Sequence, residues 1–319
     1  MAARNRPFVI ALEEHYWDAE VSKTFEGNEG RNAELLKRLD DVGVLRIKEM
    51  DESGIDVQVL SHGAPSTQRL DAATAVPMAK RANDRLREAV RAHPDRFAGF
   101  AALPTADPKA AADELERAVD KLGFKGAMVH GPTNGVFFDD KRFWPIFERA
   151  QALDVPLYLH PSVPMKAVVD AYYKDYLDKY PQLIAAAWGY TVETATQGIR
   201  MVLSGVFEKY PGLKIILGHL GESLPFSAWR IDMCLSRGGQ PSTFRETFNR
   251  HFWITTSGNF STPSLLCCVM EMGADRIMFS VDYPFVPNPP GVKWMADVPL
   301  SPTDRDNILG GTAQRLLRL

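Results

Sequence analysis

Eight short runs of β-branched, aromatic and aliphatic residues recur along this 319-residue chain: Phe8–His15, Asp56–His62, Phe97–Leu103, Gly126–His130, Val155–His160, Leu213–His219, Phe252–Ser257 and Arg276–Asp282. Helical periodicity fills the intervals, in Glu34–Glu52, Ala72–Ala92, Pro108–Leu122, Lys141–Leu153, Val192–Lys209, Leu224–Leu235, Pro263–Met272 and Thr303–Leu317. This alternation predicts a parallel sheet covered by helices, and the nearly continuous apolar runs fit strands buried on both faces. Eight units favour closure into a (β/α)8 TIM barrel over an open doubly wound sheet. The first run is not followed by a glycine-rich dinucleotide fingerprint, and no phosphate-loop sequence occurs, which weakens the open alternative. The expectation is one α/β barrel domain over residues 1–319.

Seven of the eight runs end on polar residues: Glu13 and His15, then His62, His130, His160, His219, Ser257 and Asp282. Five of the seven histidines fall at these ends. A barrel gathers its strand C-termini at one rim, so residues far apart in sequence converge there. Strand alternation puts Glu13 and His15 on one face and Glu14 on the other. A carboxylate beside an imidazole is half of a divalent-metal site. An Asp closing the eighth apolar run has few structural explanations, because burying an unpartnered carboxylate costs on the order of several kcal/mol. A metal ion or a histidinium offsets that cost. Taken singly, His62 and His130 are more often packed or pocket-lining than ligating. The segment Ser162–Tyr190 carries Tyr172, Tyr173, Tyr176, Tyr180, Trp188 and Tyr190, and would cover the rim as a lid or a subunit contact.

Composition narrows the function. A net charge of −3 with scattered Lys and Arg disfavours nucleic-acid binding. No apolar stretch approaches the roughly 18 residues of a membrane span, and the first strand begins too early for a signal peptide, so a cytoplasmic location is expected. Cys234, Cys267 and Cys268 have no ligand-like spacing and read as reduced thiols on buried helix faces.

Several segments carry a resemblance: Ala11-Leu12-Glu13-Glu14-His15, Ala82-Asn83-Asp84, Pro94-Asp95-Arg96-Phe97, Leu159-His160-Pro161, Gly218-His219-Leu220-Gly221-Glu222, Trp229-Arg230-Ile231-Asp232, Thr256-Ser257-Gly258-Asn259-Phe260 and Asp282-Tyr283-Pro284-Phe285. Together they resemble the amidohydrolase superfamily, and within it the nonoxidative decarboxylases of γ-resorcylate, 2,3-dihydroxybenzoate and 5-carboxyvanillate. The resemblance spans almost the whole chain. It implies a distorted barrel holding one divalent metal, Zn2+ or Mn2+, with Glu13, His15, His160 and Asp282 as ligands. It implies that His219, supported by Glu222, stands beside the metal, and that Asp282 protonates the ring carbon. Arg46 and Arg230 match substrate-contacting positions, and a salt-bridge role competes for each. Trp188, Tyr190, Tyr283 and Phe285 are expected in the pocket wall, core packing being the commoner fate of Phe285. Related resorcylate enzymes have Asn where this chain has His62 and His130, so both are expected either to select a different ring pattern or to serve as additional acid–base groups. Relatives are dimers or tetramers, which implies a homo-oligomer whose small partner molecule is an aromatic carboxylate.

Two other readings remain open at this point. One is a metal-dependent hydrolase or hydratase of the same barrel, acting on a lactone or unsaturated acid with Asp282 as base. The other is a noncatalytic scaffold, which the set of rim carboxylates and histidines argues against.

Overall fold

The computed structural model describes residues 6–25, 32–239 and 241–319. Its strands are β1 (Ile10–Tyr16), β2 (Val57–His62), β3 (Phe97–Gly99), β4 (Ala101–Ala102), β5 (Ala127–His130), β6 (Leu157–His160), β7 (Ile215–Leu217), β8 (Phe252–Thr255) and β9 (Ile277–Met278). All pair in parallel, in the order β1-β2-β3 and β4-β5-β6-β7-β8-β9. β3 and β4 are one strand interrupted at Phe100. The Phe100 N–H donates to Leu60 O on one side, and the next amide, Ala101, donates to Gly126 O on the other. The chain thus passes from one sheet into the next without leaving the wall, and the eight sequence runs become eight barrel staves.

Alternation sorts the core into two layers. Ile10, Leu12, Val59, Ala98, Phe100, Met128, Tyr158, Ile216 and Met278 fill one cluster inside the ring. Their neighbours Ala11, Leu60, Ala127, Val129, Leu157, Leu159, Ile215 and Leu217 face the helices. Strict alternation in β1 would send Glu13 and His15 outward with Ala11. A bulge prevents this: between Ala11 and Glu14, β1 advances three residues while β2 advances two. The extra residue inverts the phase, so Glu13 and His15 join the inward face.

The seam between β1 and β9 has no continuous ladder. The His15 N–H donates to Tyr283 O at 2.6 Å. The Glu13 N–H donates to Ser280 Oγ at 3.1 Å, and the Glu14 carboxylate bridges the seam, accepting from Val281 N at 2.9 Å, Tyr283 N at 3.2 Å and Ser280 Oγ at 3.2 Å. Burial raises this carboxyl to about 7, against the pull of the Val281 N–H. Glu14→Ala strips two buried amides of their acceptor and is expected to cost on the order of 3 kcal/mol, read from the shift in urea midpoint. Glu14→Gln, which keeps two lone-pair sites, is expected to lose less.

Helical expectations change in several places: Val192–Lys209 divides into Gly189–Leu203 and Val206–Lys209, and Lys166–Tyr172 and Phe244–His251 are additional. Glu34–Glu52 is not one helix but two, Ala33–Asp40 and Val44–Ser53. The Asp41 carboxylate accepts from the amides of Gly43 and Arg46, and this local bonding competes with helix continuation. A further helix, Asn288–Asp297, follows the last strand.

Candidate metal centre

Four donors meet at the C-terminal rim. Glu13, His15, His160 and Asp282 each present one ligand atom, and these atoms lie within 4.8 Å of one another. Glu13 Oε1 stands 3.2 Å from His160 Nε2 and 3.8 Å from His15 Nε2, which is 3.4 Å from Asp282 Oδ1. Donors about 2.1 Å from a common ion sit about 3 to 3.5 Å apart, so the cluster has the dimensions of a coordination shell. Glu13 Oε1 and His15 Nε2 are buried without a hydrogen-bond partner. Such atoms fit a divalent cation that takes both.

The surroundings leave those lone pairs free. His160 Nδ1 lies 2.8 Å from Pro161 O; a carbonyl only accepts, so Nδ1 carries the hydrogen and Nε2 faces the cluster as a lone pair. His15 Nδ1 pairs with Ser61 Oγ at 3.2 Å. Glu13 Oε2 accepts from Tyr158 Oη and Ser257 Oγ, which fixes the carboxylate and turns Oε1 inward. Tyr158 and Ser257 are bridged in turn by Thr255 Oγ1, at 2.7 and 2.8 Å. Gly218 is dictated by the same packing, because a Cβ there would stand 2.5 Å from Glu13 Oε2. The sequence reading passed over Tyr158; its signal was a hydroxylated aromatic two residues before His160, hence on the same inward face. Tyr158→Phe is expected to weaken metal affinity about tenfold or more, measured by titration against a metal buffer.

Charge is concentrated here. Burial opposes ionisation of Glu13, but His219, His15 and His160 outweigh it and hold the carboxyl well below its ordinary range. Burial opposes the His15 cation too, yet Asp282 and Glu13 raise the imidazole to about 9. His219 Nδ1 lies 2.7 Å from Glu222 Oε1, and its Nε2 lies 3.6 Å from Glu13 Oε1 and 3.9 Å from Asp282 Oδ2. Against the cost of burial, Glu13 and Glu222 raise this imidazole well above its ordinary value. His219 and Asp282 both hold left-handed backbone, with φ of 49° and 71°. Strain in non-glycine residues of this kind clusters at functional sites. Their side chains are also the more open ones, 23% and 18% exposed, against 0% for Glu13 and His15.

Other expected site residues take different places. His130 lies inward, beside His160. His62 does not: it shares outward parity with Leu60, accepts from Asp18 N at Nε2 and bonds Gly63 O through Nδ1, so it is a packed strut rather than a pocket group. Burial pushes its imidazole down to about 4. Below about pH 6.5 the unfolded chain takes up a proton that the folded chain refuses until about pH 4. Stability present above pH 6.5 is therefore lost as pH falls through that window, by about 3 kcal/mol at its lower end. Urea midpoints at pH 7.5 and 4.5 should differ less in His62→Asn than in the parent.

Arg46 is also corrected. Its guanidinium is fully buried behind the site, bonded to His15 O, Asp41 O, Arg38 O and Gln58 Oε1, and packed 4.7 Å from the Tyr283 ring. These bonds turn it away from any substrate and buttress β1 at His15. Tyr283, buried beneath it, lines with Phe285, Arg38 and Glu49 a cavity of about 520 Å³ that none of the four donors lines. Phe285 is 43% exposed, with its ring 5.7 Å from His15. Tyr190 lines a cavity of about 450 Å³ with Phe25, Ser66, Arg69 and Ser162. Trp188 and Arg230 lie apart from the four donors, on an outer groove that they share with Glu222, Val192 and Ile231. A larger cleft of about 890 Å³ lies at the strand N-termini, where Arg6 and Arg96 are spent on Asp56 and Asp51.

The amidohydrolase family model matches residues 15–319. This chain belongs to the amidohydrolase family. It is similar to a γ-resorcylate decarboxylase of Polaromonas sp. strain JS666, at 42% identity over 97% of this chain and 98% of that one. Among solved structures, it matches a dihydroxybenzoic acid decarboxylase from Polaromonas sp. JS666 with bound manganese and the inhibitor 2-nitroresorcinol, with TM-score 0.89, 41% identity and 98% coverage of both chains. It also matches 5-carboxyvanillate decarboxylase from Sphingomonas paucimobilis, with TM-score 0.90 and 35% identity over 98% of this chain and 100% of that one. No helix among the described residues is long and apolar enough to cross a membrane.

Proposed function

We propose that this amidohydrolase is a metal-dependent, nonoxidative decarboxylase of a hydroxylated aromatic carboxylic acid. The observation that carries the reading is the convergence of Glu13, His15, His160 and Asp282 beside the His219–Glu222 pair. The metal is Zn2+ or Mn2+, which the mixed oxygen and nitrogen donors suit; the Polaromonas relative holds manganese. Bound among these four side chains, a divalent ion supplies Lewis acidity toward a carboxylate and an ortho oxygen.

The chain's own groups then handle the proton. Asp282 turns Oδ1 toward His15 and Oδ2 toward His219, so one oxygen suits ligation and the other faces a proton carrier. Asp282 delivers a proton to the ring carbon that bears the carboxylate. The ring loses aromaticity as that C–H bond forms. The electrons of the C–C bond then return to the ring and CO2 leaves. His219, oriented through Nδ1 by Glu222, restores the Asp282 proton. Phe285 forms the apolar wall.

Exposed apolar side chains support a homo-oligomer, a dimer or tetramer: Phe226, Trp229 and Met270 are 81%, 62% and 87% exposed, and half-exposed Trp188 lines the same groove as Arg230. Arg230 then reaches a substrate carboxylate or hydroxyl across that interface. The three free cysteines suit a reducing cytoplasm. Reconstitution with Mn2+ or Zn2+ and a panel of ortho-hydroxybenzoates followed for CO2 tests the function. Release only with metal is expected; hydrolysis of lactones without CO2 from any acid would replace this reading with the hydrolase one.

A further inference from the structure

One inward side chain is left unused by the proposed chemistry. His130 follows Met128 on the interior face of β5, and its ring centroid lies 4.6 Å from that of His160, in an edge contact. Its Nε2 lies 2.8 Å from His62 O. A carbonyl accepts and never donates, so Nε2 carries the ring hydrogen. Nδ1 is thus a bare lone pair, buried and without a hydrogen-bond partner among the described residues. Nearby hydroxyls are already engaged: Thr133 with Thr105, and Ser162 with Val163 O. A buried acceptor without a donor is unfavourable, and here it adjoins the candidate metal ligands, where a ligand would be held.

We propose that His130 is a specificity-determining residue, accepting at Nδ1 a hydrogen bond from a ring hydroxyl of the substrate. The inference deepens the aromatic-acid reading above and rests on it. An acceptor-only contact selects a hydroxyl over an ether or a nitro group at that ring position, because either alternative sets lone pair against lone pair. A side-chain amide in its place would not discriminate, since it turns to offer N–H or C=O.

Calorimetric titration of the Mn2+-loaded protein tests this. The ligands are pairs of 2-hydroxybenzoates that differ by one hydroxyl or methoxy group at ring position 3, 4, 5 or 6. At one position the hydroxyl member should bind at least about tenfold more tightly, the size of one hydrogen-bond discrimination. His130→Leu and His130→Asn should both bring that ratio close to unity while metal content stays at one ion per chain. Should the Leu variant fail to fold, the Asn variant carries the comparison. An unchanged ratio in the variants, no preference at any position, or no binding of any pair would each overturn the proposal. CO2 release, measured on the same parent samples, separates the two readings. A His130-dependent preference without CO2 from any ligand removes the decarboxylase and keeps His130; CO2 release without a preference does the reverse.

Discussion

Asp282→Asn is expected to lower turnover by about 10³-fold or more while the protein stays folded and still binds metal. The amide keeps an oxygen where Asp282 Oδ1 faces His15, so a weakened ligand remains. It cannot carry the proton that the ring carbon needs. Because Asp282 is 18% exposed and lies on the same side as His219, the substitution removes chemistry without opening the core. Metal analysis beside CO2 assays distinguishes the two roles. Full turnover in this variant would remove Asp282 from proton delivery, and complete loss of metal would reduce its role to ligation.

His160→Ala is expected to take metal content from one ion per chain to near zero, and activity with it. His160 is the neighbour closest to Glu13 Oε1, at 3.2 Å, and its tautomer is already set by Pro161 O. Without it, three donors remain and a buried carboxylate oxygen loses its nearest counterpart. Unchanged metal content by elemental analysis would refute the ligand assignment. The His130→Asn variant offers a control in the same layer, since it leaves all four donors in place.

The barrel was legible because eight apolar runs alternate with helical periods and seven of them end on polar residues. That polar residues gather at the rim was legible for the same reason, while the choice of Glu13, His15, His160 and Asp282 among them rested on the family resemblance. What alternation alone could not supply was phase. The β1 bulge decides that Glu13 and His15 point inward, and local periodicity carries no trace of it. Phase also separates His130 from His62: both end a strand, but one shares parity with Met128 inside and the other with Leu60 outside. Glu14 was read only as the residue on the opposite face, and its part in closing the seam depends on amides some 267 residues away. Arg46 was matched by resemblance to a substrate-contacting position, with a salt-bridge role competing, whereas its bonds tie it to the backbone behind His15. The single helix expected over Glu34–Glu52 broke at Asp41, whose side chain caps the second half. The break at Asp41 is local, set by its bonds to the Gly43 and Arg46 amides; in the other cases contacts between distant elements, invisible to a window of neighbouring residues, decided the outcome.

The most direct test is to incubate the metal-loaded protein with 2,6-dihydroxybenzoate and its ring isomers in D2O, following CO2 and the ring by NMR. Asp282-directed ring protonation predicts one deuterium at the vacated carbon for every CO2 released. Intact acids throughout, with a lactone or unsaturated acid consumed instead, would contradict the account.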